Sequence, residues 1–436
     1  MKRALLPLAL VVATAFVVVA TIRDARETAT AAPVRRPIPA IAGTSRTELT
    51  KTVESMTARL KTNPGDATAV LQLAEAYIRL QRVNNDGRAV ITAEEQLRAF
   101  LKVEPEHYEA QRMLAAVLLS QHRFGEAVAQ ANKVSSIDPR DPWNYGAIGD
   151  GYLELGDYER AFAAYDRMGQ LQPGPPAYAR TSHALEIKGD LAGAVEYMQR
   201  AADGSWSNDP ESQAWHYAQL GDLFLQRGRL GDAKREYERA AATFGDHPLA
   251  MVGLAKIKIV EGDLKGARLT LQQQLARVPT PDLAATVGDL LVATGDVTGA
   301  EQYFQMAEQI ERAAWGNGPA QPQVLARFLA DHDRNPAEAV QFAESAAVSR
   351  ADIFTMDTLA WSYFKAGRQD EARKAMAQAR RTGSVDARVL YHAAEIEAAA
   401  GDHAAARATL ALIPAPQAIA EVPLAKAVAA LHARLY

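Results

Sequence analysis

An alanine recurs along this chain at steps of 33 to 39 residues. Its positions are Ala93, Ala127, Ala161, Ala194, Ala233, Ala267, Ala300, Ala339, Ala372 and Ala406. In most copies a large apolar residue follows four positions later, so both residues share one helix face. A period near 34 with helical spacing inside each period is typical of stacked helix pairs. This pattern therefore predicts an all-α fold, an α-solenoid of about ten helix–turn–helix repeats.

The stretch from residue 143 to residue 173 shows how one repeat is built. Tyr145, Ile148 and Tyr152 form an apolar face on a first helix. Gly156 suits the left-handed end of that helix, and the carboxylate of Asp157 can cap the start of the next one. The recurring alanine then faces the first helix, and a proline ends the unit. One unit leaves an apolar face wet, so the fold requires neighbouring units to cover it.

This spacing resembles the tetratricopeptide repeat, whose pattern is W-x2-L-G-x2-Y, then A-x3-F, then P. One well-matched copy contains Tyr217, Leu220, Gly221, Phe224, Gly228, Ala233, Tyr237 and Ala240. In-phase copies cover roughly residues 66 to 412. The resemblance implies a protein–protein adaptor with a concave face lined by the first helix of each unit. It does not name the partner, because one fold hosts many functions.

The first 45 residues differ from the rest of the chain. Lys2 and Arg3 precede an uncharged apolar stretch, residues 4–22, which ends at Arg23. Two interpretations stay open: a signal peptide that is cleaved, or a membrane anchor, since about 20 apolar residues can span a bilayer. Under either one the repeats are exported to the periplasm or cell envelope, and the membrane is contacted only through this segment.

The domain plan that follows has four parts. Residues 1–22 are a signal peptide or anchor, 23–45 a disordered linker, 46–415 the repeat array with a leading helix, and 416–436 a C-terminal capping helix. The cap is expected from an apolar stripe at Leu424, Val428, Leu431 and Leu435. Extra residues within the array predict an exposed loop near 84–88 and extra turns around 204–210 and 316–322.

The sequence motifs of common catalytic and metal sites are missing from this chain. Phosphate-binding GxxxxGK[ST], HExxH and GxSxG motifs are absent, cysteine is absent, and the nine histidines are scattered. The formal net charge is −4, although the first 45 residues carry a positive excess, so the array itself is acidic. An acidic surface does not suit a phosphate backbone. We expect no enzyme activity, no cofactor, no bound metal and no nucleic-acid partner.

The concave face carries the candidate binding residues. Acidic residues at the position after the small residue of alternate units, with aromatic residues nearby, suggest a groove for a protein or an extended peptide of basic or mixed charge. The candidates are Trp143, Asp150, Trp215, Asp222, Lys256, Asp289, Phe354 and Trp361. An alternative remains open, in which Asp222 and Asp289 pair with Lys256 across units and the tryptophans pack against the preceding unit.

Two functions fit these features. The first is a non-enzymatic scaffold or adaptor at the bacterial cell envelope, which binds a partner protein in its concave groove. The alternative is a dedicated accessory factor of one enzyme, or of a secretion or cytochrome-maturation pathway.

Overall fold

The computed structural model describes residues 46–84, 87–205, 209–317 and 321–436, and these form 22 α-helices with no strand. The helices are α1 (Arg46–Thr62), α2 (Ala67–Asn84), α3 (Gly87–Val103), α4 (Tyr108–Ser120), α5 (Phe124–Ile137), α6 (Pro142–Glu154), α7 (Tyr158–Leu171), α8 (Pro175–Ile187), α9 (Leu191–Gly204), α10 (Pro210–Gln226), α11 (Leu230–Thr243), α12 (Pro248–Val260), α13 (Leu264–Arg277), α14 (Pro281–Ala293), α15 (Val297–Asn317), α16 (Pro322–Asp331), α17 (Pro336–Ser349), α18 (Ile353–Lys365), α19 (Gln369–Ala379), α20 (Ala387–Ala399), α21 (His403–Leu410) and α22 (Val422–Leu435). A 3₁₀ turn, Pro416–Ala418, precedes α22.

The helices pack as consecutive antiparallel pairs, which we number as units 1 (α2–α3) to 10 (α20–α21). Within the described residues each pair is in contact internally, and most second helices also contact the first helix of the next unit. Helix α1 packs on α2, ahead of unit 1. This arrangement confirms the predicted all-α solenoid of about ten repeats.

Small residues allow the two helices of a unit to cross closely. All ten of the recurring alanines are completely buried, at 0% exposure. In unit 3 the ring of Tyr165 lies directly over Gly149, and a Cβ atom on that glycine would be 2.3 Å from the ring. Unit 5 repeats the arrangement with Tyr237 over Gly221. The small residue and the large residue of the sequence pattern are therefore two halves of one contact.

The turns inside the units follow the expected chemistry. Gly156 has a φ of +76°, in the left-handed region that favours glycine, and ends α6. The Asp157 side chain then accepts a hydrogen bond from the backbone N–H of Arg160, which caps α7. Unit 8 lacks the glycine, and there Asn335 caps α17 by accepting from the N–H of Glu338. These carboxylates and amides stabilise helix ends, which accounts for the repeated Gly–Asp pairs.

The prediction of an exposed loop at 84–88 was wrong for the part of it that is described. Helix α2 continues to Asn84 and α3 begins at Gly87, so the added residues lengthen both helices. The 39-residue steps behave similarly, since α10 has 17 residues and α15 has 21, whereas most helices of the array have 13 or 14. A longer helix satisfies its own backbone hydrogen bonds, which an irregular loop would leave to solvent.

The array curls back so that distant units touch. Ile353, at the start of α18, is fully buried in one cluster with Leu153, Tyr158 and Ile187 of units 3 and 4. The backbone N–H of Ile353 donates to the Tyr158 hydroxyl at 2.8 Å, across 195 residues of sequence. Arg350 forms an ion pair with Glu154 in the same place. We call this contact the closure contact.

Helix α22 closes the C-terminal end. Its buried stripe, Val428 and Leu431, packs against Leu390 and Leu410 of unit 10, while its first turn reaches back to α14. None of the helices in the described ranges is both long enough and apolar enough to cross a membrane. The apolar stretch 4–22 and the linker 23–45 lie outside those ranges.

Candidate binding groove

The concave face of units 6 to 10 encloses a cavity of about 530 Å³, which we call the inner groove. The first helices of these units, α12, α14, α16, α18 and α20, provide one wall. Residues 420–427, at and before the start of α22, provide the other. Residues from five units and from the C-terminal helix therefore meet around one space.

Two of the predicted acidic residues are neutralised by the next unit. Asp150 accepts two hydrogen bonds from the Arg180 guanidinium, at 2.8 and 2.6 Å, and a third from the Tyr165 hydroxyl. Asp222 likewise accepts from Tyr237 at 2.8 Å and from the Lys256 ammonium at 2.6 Å. Each carboxylate thus joins the two helices of its own unit to the first helix of the next.

The third acidic residue, Asp289, has a different partner. Its carboxylate lies 3.0 Å from Nε2 of His332 in unit 8, not against Lys256. Burial alone would lower the pKa of His332, but the hydrogen bond to Asp289 and its negative charge outweigh burial and raise it. Asp222 and Asp289 therefore both pair across units, but Lys256 pairs only with Asp222. Each of the three carboxylates therefore has a partner in the following unit, which is Arg180, Lys256 or His332.

The four predicted aromatic residues have separate environments. Trp143 is half-buried beneath the Arg112 guanidinium, 4.7 Å from the ring centroid. Trp215 is half-buried against the core of units 4 to 6. Phe354 is 42% exposed, beside the closure contact, whereas Trp361 is buried. Of the eight candidates, Lys256, Asp289 and Trp361 line the inner groove, and the other five lie elsewhere on the array.

Trp361 is the most informative of these residues. Its ring stacks on the His392 imidazole at 4.1 Å between centroids, with only 11° between the planes. Nδ1 of His392 lies 3.0 Å from both carboxylate oxygens of Asp357, which fixes the imidazole. Among the described residues the indole Nε1–H of Trp361 has no hydrogen-bond partner, although Trp361 is only 6% exposed and borders the cavity. A buried donor without an acceptor is costly, and this nitrogen is itself buried, so a molecule in the cavity would contact the indole through its other atoms.

Sequence reasoning missed most of the charged residues of the inner groove, among them Arg327, Arg388 and Glu421. Arg327 on α16 donates to Asp282 at 2.5 Å, and Arg388 on α20 forms an ion pair with Glu421 just before α22. A signal for Arg327 was available, since it follows the small residue Ala326 as Lys256 follows its own alanine. The pairing of Arg388 with Glu421 could not be found this way, because it depends on where the C-terminal segment crosses the groove.

A metal site does not emerge from the residues described. Across residues 46–84, 87–205, 209–317 and 321–436, histidine, aspartate and glutamate side chains nowhere form a group of three or more that could hold a metal ion. Charged groups in the groove instead form pairs, such as Arg327 with Asp282 and Arg388 with Glu421.

Comparison with protein families matches tetratricopeptide-repeat models to residues 92–142, 224–290 and 358–419. Over 263 residues, 57% of this chain, the sequence is 28% identical to cellulose synthase operon protein C of Xanthomonas axonopodis pv. citri (strain 306). Over 92 residues, 20% of this chain, it is 35% identical to tetratricopeptide repeat protein 36 of Homo sapiens. The matches cover 17% and 47% of those two proteins.

Solved structures with a similar fold share little sequence with this chain. The hetero-tetramer Cut9–Hcn1 of APC/C gives a TM-score of 0.45 at 15% identity, covering 96% of this chain and 81% of that one. The human IFIT1 dimer with m7Gppp-AAAA gives a TM-score of 0.46 at 13% identity, with 84% and 85% covered.

Proposed function

Since the chain belongs to the tetratricopeptide-repeat family, we propose that it is a non-enzymatic scaffold that binds another protein in its inner groove and positions it at the cell envelope. The observation that carries the proposal is the groove itself. Five units form one wall, and both charged and apolar side chains line the cavity. A preformed site lowers the ordering cost of binding, which is the advantage of a stacked array.

The test is site-specific crosslinking in cells with the full-length chain. A photo-reactive amino acid replaces Thr286, which lines the groove, or Val348, which is 90% exposed and lies outside it. We expect a discrete partner band from the groove position and none from the outer one. Equal capture at both positions, or capture only at residue 348, would contradict binding in the groove.

The envelope location is supported by the sequence of the first 22 residues, with an apolar core of 19 residues behind Lys2 and Arg3. Alkaline phosphatase fused after residue 60 is active only when it is exported. We expect an active fusion, and an inactive one when residues 4–22 are deleted. Activity that is absent from the intact fusion at normal expression would place the array in the cytoplasm.

A dedicated accessory factor of one enzyme is the second candidate. It draws on the similarity to cellulose synthase operon protein C, whose name links it to the operon of a single enzyme. The same crosslinking separates the two: a single stable partner from position 286 favours the accessory factor, and several partners favour the general scaffold.

A further inference from the structure

The start of helix α22 lies in the inner groove as a bound peptide would. The Glu421 carboxylate pairs with the Arg388 guanidinium. Val422 packs against the apolar core of units 6 and 7, and Leu424 packs on unit 10. All three line the cavity together with the first helices of five units. This chain segment therefore shows which side-chain chemistry the groove accepts.

The groove is built to hold a carboxylate at this point. Burial would raise the pKa of Glu421, but the positive charges of Arg388, Arg327 and Lys256 outweigh it and lower that pKa. The Glu421 side chain is still 52% exposed, as expected for a residue that faces the hollow of a curved array. Three cations from units 6, 8 and 10 thus act on one ionised group that solvent, and a competing carboxylate, can reach.

The contacts that hold Glu421 are separable from those that hold the helix. The apolar stripe of α22, with Val428 at 3% and Leu431 at 0% exposure, packs on unit 10. Glu421 makes no side-chain hydrogen bond to cap α22, although it occupies the N-cap position. Residues 420–423 can therefore leave the groove if the first turn of α22 unwinds, which breaks the hydrogen bond from the Ala425 N–H to the Glu421 carbonyl, while Val428 and Leu431 stay in place.

We propose that the inner groove recognises a partner segment in which a carboxylate is followed by aliphatic residues, and that residues 420–423 occupy this site as a built-in competitor. The proposal rests on the scaffold function above and gives its ligand a chemistry. The partner's carboxylate replaces that of Glu421 on Arg388, and its aliphatic side chains take the position of Val422.

The proposal makes a quantitative statement about affinity. A tethered competitor acts at millimolar effective concentration when its linker is short. If the tethered segment occupies the groove about nine-tenths of the time, the dissociation constant for a free peptide rises about tenfold. Releasing the segment therefore strengthens binding of a free peptide, which no ordinary loss of a stabilising contact would do.

The experiment measures fluorescence anisotropy of a labelled synthetic peptide with the sequence of residues 419–426, IAEVPLAK, added to the full-length chain. Replacing both Glu421→Ala and Val422→Ala should tighten peptide binding by about tenfold or more relative to the unmodified protein. Adding Arg388→Ala to that variant should abolish binding, and a peptide with Gln in place of Glu should bind weakly throughout. Arg434→Ala is the matched control. Arg434 lies on α22 and pairs with Glu395 of α20, but it does not line the groove.

Two further readouts keep the result interpretable. Unchanged thermal melts by circular dichroism show that each variant is folded. The indole ¹H–¹⁵N resonance of Trp361, assigned with Trp361→Phe, should shift when the peptide binds. Equal peptide affinity in the unmodified protein and the double variant, or binding in neither, overturns the proposal. If the peptide result overturns the proposal but crosslinking at residue 286 captures a partner, the scaffold function stands without this ligand chemistry. If the peptide binds but crosslinking captures nothing, the scaffold function fails instead.

Discussion

The closure contact predicts that one side chain controls the shape of the whole array. Ile353 is completely buried against residues of units 3 and 4, from Leu153 to Ile187, which lie 166 to 200 positions away in the sequence. Truncating a buried isoleucine to alanine costs about 3 kcal/mol. In a solenoid each unit ordinarily contacts only its neighbours. Ile353→Ala should therefore weaken a contact that the local stacking of units does not replace.

The matched control is Ile257→Ala. Ile257 is 1% exposed as well, but the core cluster to which it belongs is drawn from the consecutive units 4 to 6. Both variants should lose about 3 kcal/mol in the free energy of unfolding measured with urea. Only Ile353→Ala should also lengthen the distance between dyes at residues 159 and 348, on the two sides of the closure contact. The chain has no cysteine, so Glu159→Cys and Val348→Cys label cleanly.

A second measurement isolates the pairwise interaction. A double-mutant cycle of Glu154→Gln and Arg350→Met should give a coupling energy of about 1 kcal/mol, since this pair is only partly exposed. Zero coupling together with an unchanged dye distance in Ile353→Ala would refute the reasoning, because units 3 and 9 would then not touch in solution. A lengthened distance in Ile257→Ala would refute it too.

Three other outcomes follow from individual residues. Gly149→Ala should destabilise the protein by about 2 kcal/mol, because its new methyl group meets the ring of Tyr165. Gly169→Ala should instead stabilise it by roughly 0.5–1 kcal/mol, since that helical glycine has open space around it; urea titrations compare the two signs. Burial raises the pKa of Glu311 to about 7, so the folded chain holds this proton more tightly than the unfolded chain. The contribution of Glu311 to the free energy of unfolding is therefore complete below about pH 4.3 and falls by about 3 kcal/mol as the pH rises past 7. Glu311→Gln should remove this pH dependence from the free energy of unfolding, measured with urea at pH 5 and 8. An unchanged pH dependence in the variant would contradict the assignment.

The sequence was sufficient to predict the units because their contacts are local. Gly149 and Tyr165 lie in adjacent helices of one unit, and their spacing recurs in unit 5 as Gly221 and Tyr237. A pattern that repeats every 34 residues reports on contacts that also repeat. The same reasoning gave Asp157 its capping role, since capping depends only on the three residues that follow.

The inner groove and the contacts between units were harder to predict from the sequence. The position of Asp150 on the concave side follows from the repeat, but its pairing with Arg180 depends on the small rotation between successive units. Six such rotations bring Ile353 against Tyr158, and no repeating feature marks either residue. Glu421 was missed for a related reason, because it lies beyond the last repeat and meets Arg388 only where the chain turns back.

The closure contact also changes how the molecule responds to force. A stack of helix pairs that touches only its neighbours stretches as a soft spring, with each joint yielding a little. Here units 3 and 9 can separate only after Ile353 has left its apolar site and Arg350 has left Glu154. Extension of this part of the array therefore begins only when the closure contact has broken. Pulled by handles attached in units 3 and 9, the protein should stay stiff up to a threshold and then lengthen abruptly, while every individual repeat is still folded.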